Sequence, residues 1–471
     1  MGGACEAAQH TMQPMRAALL APTLALLLAP TLAPTLALAL ALLTGCSTMQ
    51  PLPALDRELA ALVGDPQATV APVAAVAALA IRDGRVVYAN QFGIRHPAAP
   101  ALPVTAATRF RVASISKLVV ALGVLRLVEA GRLDLDADVS AVLGWTLRHP
   151  QFPELPITLR LLLSHRSGLS DGGERYGFDG RTKLQDVLQP QGALYADGLN
   201  WRRDTRPGSD FEYVNLNYGV IAQVMERAGG ERFDRLMQRL VLQPLGLQGG
   251  FDPSQWPRAE QLDVAAMLRK RSDDGVWNPA GLWVLQADDF RDRPAPAPAG
   301  LDGYVVGSNG TLFGPQGRLR ISVQGLGVVM QMLLDRGRHQ GQAFLRPESV
   351  ALLASEQWRR TGPPPKDGEN VGACAWGLGV QIFTDRAEPG CGDRLVDGGG
   401  FQGFGHTGDA YGLMGLFALD PATRRGMVVI VNGPGVDPQA FPPHYSALYR
   451  WQEIAATAVW RHALQGASLQ P

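Results

Sequence analysis

The sequence predicts an α+β fold: an antiparallel sheet formed by the N- and C-terminal segments and flanked by helices, with a mainly helical subdomain inserted over about 114–353. Three observations predict it. The segment AVAALAIRDGRVVYANQFG carries two strand-like runs joined by Asp83-Gly84, a strong short-range hairpin signal. Residues 115–130 (ISKLVVALGVLRLVEA) are apolar almost all round and stop at Gly131, the pattern of a helix buried on every face. Beyond Trp376 strand character returns in GLGVQIF, GLMGLFAL and GMVVIVN, the last two flanking the turn Asp420-Pro421-Ala422-Thr423. Sheet at both ends with helices between them implies a sheet that closes only when the termini meet.

Taken in order, the chain opens on an export segment. Ala17–Leu42 holds only Ala, Leu, Pro and Thr, follows Arg16 and runs into Leu43-Thr44-Gly45-Cys46. That is a charged start, an apolar middle and a small-residue cleavage site, so residues 1–45 are expected to be a signal peptide. Leu-Thr-Gly-Cys resembles the lipobox of bacterial lipoproteins. The resemblance implies acylation of the Cys46 thiol and a periplasmic, membrane-anchored protein, with Ser47 matching the pattern sorted to the outer membrane. A Pro/Ala-rich tether is expected over 46–74, then one domain over 75–465. Within it, helices are expected at 214–228 and 231–241, a flexible surface loop over Asp288–Gly300, and a final helix over Ala447–Leu464 after Pro442-Pro443.

Composition limits the function. With 43 basic and 43 acidic residues the formal net charge is zero, which leaves no basic face for nucleic acid. No cluster has metal-ligand spacing and no segment reads as a cofactor site, so neither is expected. Cys5 would be lost with the signal and Cys46 lipidated, leaving Cys374 and Cys391. In an oxidising compartment these suggest one disulfide, two separate buried thiols being the alternative. The sequence carries no signal for oligomeric state.

Chemistry concentrates at Ser114-Ile115-Ser116-Lys117. A hydroxyl and an amine lie one helical turn apart at the head of the apolar helix. Only four of the 43 basic residues are lysines (Lys117, Lys183, Lys270 and Lys366), the rest being arginine. Arginine keeps its proton at any physiological pH, whereas a desolvated lysine can act as a base. A lysine at the positive end of a helix dipole is otherwise mildly unfavourable. The other three lysines sit in polar stretches and are expected to be solvated. Two further pieces follow: Tyr213-Val214-Asn215 after the turn Pro207-Gly208-Ser209, and His406-Thr407-Gly408, read as lying just before the strand GLMGLFAL.

Ser-x-x-Lys, Tyr-x-Asn and His-Thr-Gly in this order resemble the penicillin-recognising serine hydrolases, a family that includes class C β-lactamases, D-Ala-D-Ala carboxypeptidases, D-aminopeptidases and related esterases. The resemblance spans roughly residues 60 to 460 and implies a β-lactamase/transpeptidase-like fold. It implies Ser114 as nucleophile, Lys117 and Tyr213 as its catalytic partners, and Asn215, His406, Thr407, Gly408 and Asp409 on the substrate. The oxyanion hole by this pattern comes from the amides of Ser114 and Asp409. His406 stands where the β-lactamases have lysine, as in the carboxypeptidase and aminopeptidase branches, so weaker attraction of a substrate carboxylate is expected.

The residues allow this chemistry on their own terms. Lys117, packed beneath Ser114, would have a lowered pKa; Tyr213, held between them, would relay the proton or take it as phenolate. The expected activity is hydrolysis of an amide or ester through an acyl-enzyme, with a D-amino-acid peptide as first-choice substrate and a small ester as second. A penicillin-binding or sensor lipoprotein without turnover is a third reading. Gly168-Leu169-Ser170-Asp171-Gly172 matches a nucleophile elbow on Ser170, but its leucine-rich lead-in and polar sequel lack the strand and helix an elbow needs. Gly398–Gly403 fits Gly-x-Gly-x-x-Gly without a βαβ unit and is read as a loop allowing close approach to substrate. His165 is read as structural.

Overall fold

In the computed structural model, which describes residues 51–64, 72–362, 373–388 and 391–466, Asp83 and Gly84 take φ of +53° and +76°. That is the backbone a two-residue hairpin turn requires, and it folds β1 (Val73–Arg82) onto β2 (Arg85–His96). The other edge of β1 pairs antiparallel with β9 (Arg425–Pro434), from Val73 opposite Pro434 to Ile81 opposite Gly426. The two ends of the domain thus meet in mid-sheet. The remaining strands are β3 (Leu102–Pro103), β4 (Trp358–Arg359), β5 (Ala375–Trp376), β6 (Gln381–Phe383), β7 (Gly403–Ala410) and β8 (Leu413–Asp420). They complete a nine-stranded sheet in the order β4-β5-β6-β7-β8-β9-β1-β2-β3.

Because β1 is central and covered on both faces, its small residues are buried from Val73 to Ile81, and the strand period sorts them. Ala75, Ala77, Leu79 and Ile81 pack with α2 (Ser116–Glu129) and α4 (Val323–Leu334); Val76, Ala78 and Ala80 pack with α1 (Pro53–Gly64) and α5 (Arg450–Val459). As its composition implies, α2 is buried from Ser116 through Leu125 and again at Leu127. It lies between the sheet and α3 (Leu216–Gly229), and at Gly123 an added Cβ would stand 2.8 Å from Met237 Sδ.

Several expectations need correction. The tether is helical over 53–64: Leu55, Leu59 and Leu62, one helical face, are buried against the sheet, and Asp56 accepts hydrogen bonds from Tyr88 (2.7 Å) and Asn90 (2.9 Å). His406-Thr407-Gly408 precedes the GLMGLFAL strand, β8, as expected, but itself lies inside a further strand, β7. The loop from Asp288 is pinned, since Asp288 forms a buried two-pronged pair with Arg320 (2.6 and 2.9 Å), and Phe290 and Ala295 pack with Val264 and Trp256. Gly398–Gly403 does not line the cleft described below; there the N–H of Gly400 donates to Asp385 (2.7 Å). Cys46, the export segment and Lys366 lie outside the described residues.

If α1 belongs to the fold, Leu59→Ala should lower unfolding stability by about 2–5 kcal/mol in urea titrations, the range for deleting a fully buried leucine. A change within about 0.5 kcal/mol, normal for a surface site, would return the segment to a tether.

Candidate active site

Ser114 sits on a single 3-10 turn, Ala113–Ile115, that leads into α2. Ala113 holds φ at +47°, a region that costs a residue with a Cβ about 1–3 kcal/mol. The strain lifts Ser114 into the cleft while Ala113 and Ile115 stay buried. One turn on, Lys117 is wholly buried, and its Nζ stands 2.9 Å from each of Ser114 Oγ, Asn215 Oδ1 and the Gln316 carbonyl.

The Asn215 oxygen faces the amine because Asp171 fixes the other end of the amide. Asn215 Nδ2 and the N–H of Asn215 donate to Asp171 Oδ2 (2.9 and 3.0 Å), and the N–H of Leu216 donates to Oδ1 (2.9 Å). These are N–H groups that the start of α3 leaves open. Asn215 Oδ1 and the Gln316 carbonyl can only accept, so they take two N–H bonds of Lys117 and direct its third position at Ser114. Burial lowers the Lys117 pKa to about 7, with Asp171 pulling the other way. Above that pH the third position is a lone pair facing the serine hydroxyl.

Tyr213 hydrogen-bonds Ser114, and its ring lies 4.8 Å from Lys117 Nζ. The expectation of a phenolate is corrected: burial raises its pKa well above the ordinary phenol range, and the Ser114 hydrogen bond offsets only part of that. As a phenol Tyr213 can pass a proton on, and the buried Lys117 amine is placed to accept one from Ser114. Its ring stacks on His165 at 4.5 Å and meets Trp376 edge-on at 5.6 Å. His165 Nδ1 in turn accepts the N–H of Val214 (2.9 Å), so this histidine also positions the loop that carries Tyr213.

The cleft's far wall is β7. Strand β6 pairs with β7 only over Gly403–Gly405, leaving the remainder of that edge without a strand partner among the described residues where it passes the Ser114 turn. Gly408 is required there, because an added Cβ would lie 2.6 Å from the Val112 carbonyl. Thr407, Gly408 and Asp409 line a cleft of about 700 Å³ together with Ser114, Tyr213 and Asn215. The Asp409 carboxylate turns aside to accept from Tyr449 Oη.

His406 does not join them. It is buried between Tyr213 and Trp376, its Nδ1 stands 2.6 Å from the Thr407 carbonyl, and burial followed by the Lys117 charge lowers its pKa to about 3. The imidazole is buried and is not among the residues that line the cleft, so it is not placed to hold a substrate carboxylate. Ser170 is no elbow: the leucine-rich run before it is a helix, Leu159–Leu163, and its hydroxyl accepts from the Gly172 N–H (3.3 Å). Lys183 is exposed, and Lys270 donates to the Pro279 carbonyl (2.7 Å) at the surface. Cys374 and Cys391 are disulfide-bonded, tying together the segments that carry the wall residues Ala373 and Gly392. Asp171 and Gln316 carried no local signal: one caps a helix 44 residues away and the other contributes only a carbonyl.

Comparison with known proteins places the chain in a family and a fold. The Beta-lactamase family model matches residues 66–448. Esterase EstB of Burkholderia gladioli is 35% identical over 187 residues, covering 37% of this chain and 46% of that protein, so the match spans less than half of the esterase. Penicillin-binding protein 4 of Amycolatopsis lactamdurans is 23% identical over 337 residues, 70% of this chain and 74% of that one. The fold is similar to that of D-amino acid amidase from Ochrobactrum anthropi SV3, with a TM-score of 0.57 and 19% identity over 86% of this chain and 97% of the other.

Acylation that needs the free amine should rise with pH through an apparent pKa near 7, since Lys117 is protonated below that value. His406, lowered to about 3, should add no limb. A kcat/KM profile flat from pH 5 to 9 would contradict this assignment.

Proposed function

The chain belongs to the Beta-lactamase family, and we propose that it is a serine hydrolase that cleaves an amide or ester through an acyl-enzyme on Ser114. One observation carries this reading: a wholly buried lysine amine, boxed by two oxygens that can only accept, with its third position 2.9 Å from a cleft-lining serine hydroxyl. The Lys117 amine takes the proton of Ser114 as Oγ attacks the substrate carbonyl carbon. The carbonyl oxygen becomes an oxyanion between the amides of Ser114 and Asp409, each such donor contributing about 2.7–4 kcal/mol of barrier lowering. As the tetrahedral intermediate collapses, the proton returns through the Tyr213 phenol to the departing nitrogen or oxygen. Water then attacks the acyl-serine by the same route and releases the acid.

The substrate class we favour is a D-amino-acid peptide, with small esters second. The amidase-like fold supports the first and the identity to an esterase supports the second. With a buried neutral histidine at 406, no cation at that position holds a penicillin carboxylate, so slow turnover of penicillins belongs to the same proposal. Anchoring through an acylated Cys46 on the periplasmic side is proposed with it.

Incubation with a fluorophosphonate and peptide mass spectrometry should find the adduct on the Ser114 peptide, with none in Ser114→Ala. An adduct on Ser170 would transfer the nucleophile there. Lys117→Arg keeps the charge but removes the base, and should lose activity nearly as heavily as Lys117→Ala; an arginine variant with wild-type rate would refute the base. For the anchor, Cys46→Ser should move the protein from the membrane pellet to the soluble fraction, and an unchanged distribution would refute lipidation.

A further inference from the structure

Where β7 ends at Ala410, the cleft wall changes character. Arg111, three residues before the nucleophile, and Arg318, two after the carbonyl that holds Lys117, both line the cleft with Ser114. A third guanidinium, Arg320, is packed behind them. One carboxylate, Asp288, serves all three, and Arg320 already occupies both its oxygens at 2.6 and 2.9 Å, with both partners about 5% exposed. Arg111 Nη1 is left 3.9 Å from Asp288 Oδ1, beyond hydrogen-bond range, and its buried Nε has no hydrogen-bond partner among the described residues. Arg318 is exposed into the cleft and makes no ion pair among the described residues. The charges that bear on Arg111 are Asp288, Arg320 and Arg318; those on Arg318 are Arg320 and Asp288. The carboxylates that line the cleft are Glu174, Asp393, which accepts from Thr384 and the Arg386 N–H, and Asp409, bound by Tyr449; none forms an ion pair with either guanidinium among the described residues.

Three guanidiniums therefore share the Asp288 carboxylate, whose two oxygens Arg320 already holds, and a further anion at Arg111 and Arg318 would relieve their mutual repulsion. The ring of Tyr411, with Arg111 5.1 Å from its centroid, fixes one guanidinium in place. Preset guanidinium forks match the two oxygens of a carboxylate. We propose that Arg111 and Arg318 form an anion subsite for a carboxylate carried by the substrate. The subsite rests on the serine hydrolase reading for its relation to the scissile bond.

Two matched pairs locate the carboxylate. Mono-p-nitrophenyl glutarate against p-nitrophenyl butyrate places it on the acyl half; N-acetyl-D-Ala-D-Ala against its C-terminal amide places it on the leaving half. Within one pair, kcat/KM should favour the acidic member by about tenfold or more, less so as salt rises. The ratio should fall towards one in Arg318→Gln and in Arg111→Gln, and be partly kept in Arg318→Lys. Hydrolysis of neutral and acidic members alike would overturn the subsite and leave the hydrolase reading standing, as would a preference that survives both glutamine variants. Calorimetry of Ser114→Ala protein with mono-p-nitrophenyl glutarate and N-acetyl-D-Ala-D-Ala separates the two claims. Binding that Arg318→Gln abolishes upholds the subsite even if the wild-type protein hydrolyses nothing, a result that would overturn the hydrolase reading alone.

Discussion

A single buried amine organises this molecule. Lys117 Nζ joins a turn, a helix start and a loop carbonyl, with Asn215 98 residues away in sequence and Gln316 199 residues away. Each contact constrains the others. Asp171 aims the Asn215 oxygen, that oxygen and the Gln316 carbonyl consume two of the amine's positions, and only the Ser114 hydroxyl is left for the third. Take the amine out of water and its proton affinity falls; box it with acceptors and its lone pair has one direction. On the proposed reading, activation of Ser114 is a property of packing, set by how α2 and α3 enclose one side chain.

The sheet supplies the complementary surface. By joining β1 to β9 in mid-sheet, the fold places β7 beside the Ser114 turn, and the early end of β6 leaves part of its edge free. Gly408 lets the strand approach the strained Ala113 backbone closely enough for both to border one cleft. The same strand ends at Ala410, beside the arginine pair. Bond-making groups and the charge that would orient a substrate therefore sit along one wall, close to one another.

Much of this was legible in the sequence for physical reasons that can be named. The hairpin turn, the all-round apolar α2 and the Ser114, Lys117, Tyr213 and Asn215 set are local patterns, and the structure brings the four residues together. The tether was misread because Pro and Ala dominate 51–74, although Leu55, Leu59 and Leu62 already marked a helical face. β7 was missed because Gly403, Gly405 and Gly408 dilute its strand signal; they are needed where neighbouring backbone crowds the strand. The states of His406 and Tyr213 depend on how deeply other segments bury them, as does the Asp288 pair that tethers its loop. Residues that act through a carbonyl or a distant cap, Gln316 and Asp171, leave no pattern in a linear chain.

The account stands or falls on the ionisation of one amine. Because the chain holds only four lysines, selective carbon-13 labelling of the lysine side chains should give resolved signals whose titration can be followed by NMR. One signal, absent from Lys117→Arg, should titrate near pH 7. If the signal assigned to Lys117 instead titrates near the unperturbed lysine value of about 10.4, the amine is an ammonium at working pH and cannot be the base.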